Sequence, residues 1–304
     1  MLEESVVVGE EHLDAITTHL IKAGGKRLRP LLAVASATAG ERDASAEDIM
    51  GGIALELMHL ASLYHDDVMD EAVIRRNVDS VNARYGNLVA IVAGDYLMAR
   101  SAAIAAELGV EIAGLLARTL AWLTRGQVAE VRTAFNTERS LDDYYVAIEG
   151  KTASLMAASC RVGAITAGRP NSEVDALEEF GRCFGMVFQL RDDILDMVAT
   201  DGQLGKPAGQ DLAEGIYTLP ALVALNDPQV GGDLRTILGS PLSDEQRESA
   251  RQLVVATKGV ARTYEAAETF MAQGKKALTG VSGDRLRTGF SSLIEGLMEG
   301  LPEA

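Results

Sequence analysis

The stretch SAEDIMGGIALELMHLASLYHDDVMD, residues 45–70, decides the fold. Its first four residues, Ser45 to Asp48, have the order of a capping box, a hydroxyl followed three positions on by a carboxylate. Beyond them Ile49, Ile53, Leu57, Leu60 and Leu63 recur at helical spacing. The stretch predicts one long helix that ends in Asp66-Asp67-Val68-Met69-Asp70, the pattern DDxxD. Side chains at i and i+4 share a helix face, so this ending gathers carboxylates. Their mutual repulsion is one cost, and their place near a helix C-terminus, where the dipole disfavours negative charge, is a second. A bound cation would relieve both. Magnesium prefers a few carboxylate oxygens that leave room for waters and substrate phosphates.

The pattern occurs twice. Asp192-Asp193-Ile194-Leu195-Asp196 closes another apolar stretch, through Leu177, Phe180, Phe184 and Val187. A helix start is expected at Ser172, after Pro170, with Asp175 three positions on. Both motifs then lie about 30 Å from their helix starts. Two long parallel helices would set the clusters at one level, facing across a gap. One DDxxD on a helix is more often a solvated face; two at matched depth point to a metal-held polyphosphate.

Composition sets the frame. The 304 residues are 47% hydrophobic, rich in Ala and Leu and poor in aromatics, which suits a helical bundle. Helix follows helix without alternating strand patterns, only 7 prolines and no long polar linker, so a single domain over 1–304 is expected. The net charge of −16, from 28 basic and 44 acidic residues, argues against nucleic acid as a partner. Cys160 and Cys183 lack metal-ligand spacing, and a reduced, cytoplasmic protein is expected. No apolar run reaches membrane-spanning length without interruption, and no leader pattern opens the chain.

In so acidic a chain the basic clusters stand out. Gly24-Gly25-Lys26-Arg27-Leu28-Arg29-Pro30 sets three cations beside a glycine pair that admits close approach to a ligand. Arg75 and Arg76 follow the first motif, Lys151 opens a helical segment with Thr152 and Ala153, and Lys206 follows the second motif. Together they suggest anion pockets around a metal cluster.

Over nearly its whole length the chain resembles the trans-isoprenyl diphosphate synthases, or polyprenyl synthetases. The resemblance is carried by residues 24–30, by His65 to Asp70 with Arg75-Arg76, and by Gly94-Asp95-Tyr96. It continues through Lys151-Thr152-Ala153, Gln189 to Asp196, and Gly205-Lys206-Pro207 with Asp211-Leu212 and Thr218-Leu219-Pro220. It implies an all-α, single-domain antiparallel bundle around a deep central cavity, commonly a homodimer. The reaction implied is head-to-tail condensation of isopentenyl diphosphate with an allylic diphosphate, dependent on Mg2+. Asp66, Asp70 and Asp192 resemble direct metal ligands; Asp67, Asp193 and Asp196 resemble indirect ones. Arg75, Lys151 and Lys206 resemble the clamp on the allylic diphosphate, and Lys26, Arg29, His59 and Arg76 the isopentenyl diphosphate pocket. Gln189 and the carbonyl of Thr152 resemble stabilisers of the allylic cation.

Two departures stand out. Arg75-Arg76-Asn77 replaces the usual Arg-Arg-Gly, which touches turn geometry. Gly215-Ile216-Tyr217 replaces the usual Gly-Lys before Thr-Leu-Pro and removes one candidate phosphate cation.

Product length follows from turn counting, since an isoprene unit is about as long as one helical turn, roughly 5 Å. Upstream of Asp66 the same face carries Ala61, then Leu57 or Met58, then Ala54, then Gly51 or Met50. The small residues leave space and Met58 is a candidate floor, so a long product of about six to nine units is expected. The competing readings are a shorter geranylgeranyl product, or small residues that merely permit close helix packing. A class I terpene cyclase would carry a different second motif, and a non-catalytic subunit of a heteromer would tend to lose one. Residues 200–215, with Gly202, Gly205, Gly209 and Gly215, are expected to form a lid. His12, His19 and His65 are expected to be structural, Cys183 to pack as an apolar residue, and Trp122 and Tyr144-Tyr145 to be core or dimer contacts. Product hydrophobicity suggests loose membrane association, which no basic amphipathic helix supports.

Overall fold

Helix follows helix, as the spacing predicts, in a computed structural model that describes residues 1–38, 42–199 and 207–302. The residues fall into two compact units: Met1–Leu120 with Ala158–Glu178, and Ala121–Ala157 with Glu179–Ala304.

The first unit contains α1 (Glu11–Thr17), α2 (His19–Lys22), α3 (Leu28–Thr38), α4 (Ala46–Met69), α5 (Val81–Tyr85) and α6 (Asn87–Glu107). Helix α4 carries the first motif. Its N-cap is Ser45, whose hydroxyl accepts from the Asp48 amide while Asp48 accepts from the Ser45 amide. The capping box read from sequence is therefore present, and Asp48 also takes Arg42 Nη1 (2.7 Å) and the Thr166 hydroxyl (2.8 Å).

Helix α4 packs most heavily on α6 and α3. Leu55, Leu57 and Leu60 are fully buried, each contributing about 1.5–3 kcal/mol relative to exposure. The Ser101 hydroxyl on α6 donates to the Ala54 carbonyl (2.7 Å), and Tyr64 Oη donates to the Ile16 carbonyl (2.8 Å). After α4 the chain makes a feature with no sequence signal, a ladder pairing β1 (Ile74–Arg75) with β2 (Val78–Asp79). Strands of two residues are too short to show a period.

Helices α7 (Val110–Thr133), α9 (Ser154–Thr166) and α10 (Asn171–Val198) have residues in both units. The second unit also contains α8 (Leu141–Ile148), α11 (Gln210–Ala213), α12 (Leu219–Leu225), α13 (Gly231–Ile237), α14 (Asp244–Val255), α15 (Gly259–Leu278) and α16 (Asp284–Gly296). Its core joins Tyr144, Leu190, Ile194, Tyr217, Leu222 and Val254, among others.

Helix α10, with the second motif, begins at Asn171 rather than at a Ser172 cap. The amides of Glu173 and Val174 donate to the Pro170 carbonyl, and Asp175 pairs with Arg161 (2.8 Å) instead of capping. Trp122 is 48% exposed on α7, which removes the core reading for it, while Tyr144 is buried. Cys160 and Cys183 are buried free thiols.

Candidate active site

In the first unit the motif splits by burial. Asp67 is fully buried, Asp66 is half-buried and Asp70 exposed. The β ladder turns the chain back so that Arg75 Nε (2.7 Å) and Nη2 (2.5 Å) both reach Asp67 Oδ1. Burial raises the Asp67 carboxyl above its ordinary value, with Arg75 opposing. The tight turn places Arg76 and Asn77 at φ +54° and +63°. Asn tolerates that left-handed conformation, so the missing glycine costs the turn little.

The same turn delivers Arg76 to the segment 24–30. Arg76 Nη1 donates to the carbonyls of Leu20 (3.0 Å) and Gly24. A Cβ on Gly25, at φ +131°, would sit 2.9 Å from the Arg76 guanidinium carbon. Close approach at the glycine pair is thus made by the protein's own arginine.

Arg27 Nη1 lies 2.5 Å from Oε1 of Glu56, a buried acid that the sequence reading missed. Its signal was a lone carboxylate inside the apolar run Leu55-Glu56-Leu57. Arg29 is pushed down to about 10 by burial, with Glu56 opposing and Arg76 adding to the effect. Burial, then Arg29, Arg76, Arg27 and Arg75, push His59 well below its ordinary value, so it is a neutral imidazole at pH 7. Arg29, His59 and Arg76 are thereby one electrostatic cluster, with Lys26 exposed on the adjoining loop. His65 lies 3.4 Å from Asp95 and packs against Gly94; His19 bonds the Asp79 carbonyl (2.7 Å).

The chain-length positions Ala54, Leu57, Met58 and Ala61 are all buried on α4. Gly51, expected to leave space, does not: a Cβ there would lie 2.6 Å from Val162 Cγ1. Close packing accounts for that glycine.

In the second unit Lys151 lies inside a helical run rather than at its start: a single π-helical turn, Glu149–Ala153, joins α8 to α9, a distortion common at functional positions. Glycines let this turn press against its neighbours. A Cβ on Gly126 would be 2.4 Å from the Lys151 amide, and one on Gly150 2.7 Å from the Trp122 carbonyl.

Lys151 Nζ pairs with Glu130. The Thr152 hydroxyl donates to Gln189 Oε1 (2.9 Å), and Gln189 Nε2 donates to Asp193 Oδ1 (2.9 Å). Tyr144 Oη donates to Asp193 Oδ2. Burial raises Asp193 to about 7 against these two donors, with Asp192 and Asp196 adding repulsion.

Asp192 is exposed, 3.6 Å from Arg191. Asp196 is buried and accepts the amides of Gln210 and Asp211 (both 3.2 Å). Among the described residues no three His, Cys, Asp or Glu side chains form a ready cage. A donor set of separate carboxylates fits a cation whose shell is completed by water and phosphate.

Lys206 and the first part of the expected lid lie outside the described residues. The described part is anchored: Gly209 N donates to the Asp196 carbonyl (2.7 Å), Phe135 N to the Gly215 carbonyl (2.8 Å), and Arg247 Nε to the Ala208 carbonyl (3.1 Å). Ala208, Gly209 and Gly215 are thus each tied by a backbone group to a neighbouring segment. A cavity of about 150 Å³ lies beside Lys151, Thr152, Gln189 and Asp193. Its wall includes Ile216, where the usual cation is absent, and Arg139, which the sequence reading did not single out.

An all-α chain with two DDxxD helices, each burying its middle carboxylate and presenting its first beside clustered cations, defines the class of metal-assisted transferases acting on diphosphates. The chain belongs to the polyprenyl synthetase family, whose family model matches residues 10–255, and it is accordingly a trans-prenyltransferase. It is 38% identical over 282 residues to the nonaprenyl diphosphate synthase of Mycobacterium tuberculosis, spanning 91% of this chain and 84% of that one. It is 37% identical to heptaprenyl diphosphate synthase component 2 of Geobacillus stearothermophilus, over 94% and 89% of the two chains. The crystal structure of geranylgeranyl pyrophosphate synthase from Corynebacterium glutamicum, complexed with calcium and isoprenyl diphosphate, matches with a TM-score of 0.87. It is 34% identical and covers 99% of this chain and 93% of that one.

Proposed function

We propose that the chain is a magnesium-dependent trans-polyprenyl diphosphate synthase that extends an allylic diphosphate with isopentenyl diphosphate to about six to nine units. The observation that carries this is the repeated motif in which the middle aspartate is buried and the first stays accessible. Asp67 and Asp193 are held by protein groups, while Asp66, Asp70 and Asp192 stay accessible as metal ligands. The cation supplies charge withdrawal from the departing diphosphate.

In this reading Lys26, Arg29, His59 and Arg76 bind isopentenyl diphosphate, and Arg75, Lys151 and Lys206 the allylic diphosphate. Neutral His59 serves as a hydrogen-bond partner, leaving the charge to its arginine neighbours. Gln189, oriented by Thr152 and by Asp193, presents its amide dipole to the allylic cation. The names of the nonaprenyl and heptaprenyl relatives support a long product, as does Ala61 one turn before the motif.

The test is incorporation of labelled isopentenyl diphosphate with ten-, fifteen- and twenty-carbon starters in magnesium, with product sizing. A ladder beyond thirty carbons is expected. A stop at twenty carbons would assign the shorter, geranylgeranyl-type product instead.

We propose further that two copies pair through the outer face of α6. Leu88, Ile91 and Val92 are exposed there, followed at helical spacing by exposed Ala99, Ala102, Ala103 and Ala106. The helix is long and apolar enough to cross a membrane by length and composition, but its inner face, Ala90, Ala93, Leu97 and Ile104, is buried. A partner protein surface suits a helix apolar on both faces. Val92→Glu should shift a dimer to monomer in sedimentation. A component-type relative favours a second reading, in which the chain needs a different subunit; incorporation by the purified chain alone would refute it.

A further inference from the structure

We infer that Arg139 is a further diphosphate-binding residue, acting from the wall of the cavity beside Lys151; the inference rests on the prenyltransferase reading above. Arg139 is only 5% exposed. Its Nη1 donates to the Tyr217 carbonyl (3.1 Å), and its guanidinium lies 5.7 Å from the centre of the Tyr144 ring. Nε and Nη2 are buried and have no partner. A guanidinium stays charged when buried, so unpaired donors on it are costly.

The neighbouring acids do not satisfy them. Glu130 is bonded by Lys151, and Asp193 by Tyr144 and Gln189. Thr218 adds a third case: its hydroxyl is buried, unpartnered, and on the same cavity wall.

Arg139 and Thr218 both line about 150 Å³ of space, and their unpaired buried groups, two guanidinium donors and a hydroxyl, call for an acceptor with several oxygens. A metal cation cannot accept hydrogen bonds, and Ile216 brings no charge. Among the described residues on this wall, Arg139 and Lys151 are the cations. The planar fork of arginine matches a phosphate oxygen pair better than a point charge does. The geometry points to the phosphate oxygens of the substrate, and of the diphosphate released from it, as the missing acceptors.

The experiment uses the full chain with magnesium and inorganic diphosphate as the probe, measured by calorimetry, alongside steady-state kinetics. Arg139→Gln is expected to weaken diphosphate binding about tenfold or more, with Arg139→Lys intermediate. The KM for the allylic diphosphate should rise in parallel while that for isopentenyl diphosphate holds. The ligand-free melting temperature of the Gln variant should stay close to that of the unaltered chain. Unchanged diphosphate affinity in a folded variant overturns the inference and assigns the unpaired donors to ordered water. Lowered melting temperature with intact diphosphate affinity overturns it too, since that marks a structural arginine. If Arg139→Gln does not fold, Arg139→Lys decides by the same two readings. Absence of elongation by the unaltered chain would sink the functional reading itself; normal elongation with unchanged affinity in the variants sinks only the role of Arg139.

Discussion

Asp67 and Asp193 hold the same place in the same motif, and each is fully buried, yet their partners differ in kind. Asp67 is met by a guanidinium, Arg75, with two nitrogens on one oxygen. Asp193 is met by a phenol and an amide, Tyr144 and Gln189, both neutral. Burial raises both carboxyls, but beside neutral donors the shift reaches about 7. The accessible members of the two motifs differ less: Asp66 is half-buried, and Asp70 and Asp192 are exposed. A five-residue pattern thus specifies where carboxylates cluster, while the surrounding fold decides whether each is an ion or an acid near neutrality.

The strongest way to break this comparison is to remove accessible and buried carboxylates in turn. Asp66→Ala and Asp192→Ala should each lower kcat on the order of 10²–10³-fold, and Asp67→Asn and Asp193→Asn about 10–100-fold. Steady-state incorporation would show it, and equal losses at all four positions would dissolve the division.

Next in size is the ion pair. Arg75→Gln leaves Asp67 buried without its counter-charge. The cost should be about 3 kcal/mol, reduced somewhat because Arg75 is itself partly exposed, and would be read from the urea midpoint at constant slope.

The neutral setting predicts a pH dependence of the opposite origin. Asp193 keeps in the folded state a proton that the unfolded chain has lost above its ordinary value of 3.8. Its contribution is therefore complete below that value and is lost as pH rises through about 7. Between pH 5 and 7 the metal-free protein should lose about 2 kcal/mol from this source. Asp193→Asn should flatten that part of the stability profile, and an unchanged profile would contradict the assignment. The smallest effect is expected from Tyr144→Phe, which removes one neutral donor at about 1 kcal/mol and pushes Asp193 higher still. A loss as large as that of Arg75→Gln would mean the two settings are alike after all.

Much of the first unit's site was legible because its signals are local. The capping box at Ser45, the apolar spacing along α4 and the carboxylate cluster at its end all lie within one helix. The second helix start was misplaced because Pro170 itself accepts the first amides, which makes a Ser172 cap unnecessary. The π-turn at Lys151 could not be read, since it depends on backbone contact at Gly126. Neither Glu56 nor Arg139 was singled out in the sequence, and only their burial sets them apart.

The sequence by itself determined that this is a helical chain with two acidic motifs, their carboxylates gathered by i,i+4 spacing, and basic segments set to receive anions. Helical periodicity and side-chain chemistry are properties of neighbouring residues, so they survive without a fold. What only the tertiary structure decided is the electrical state of those groups. The partner of Asp67 lies 8 residues away, and of the two partners of Asp193 the phenol lies 49 away, and the low polarity that raises both carboxyls exists only once the core has closed around them.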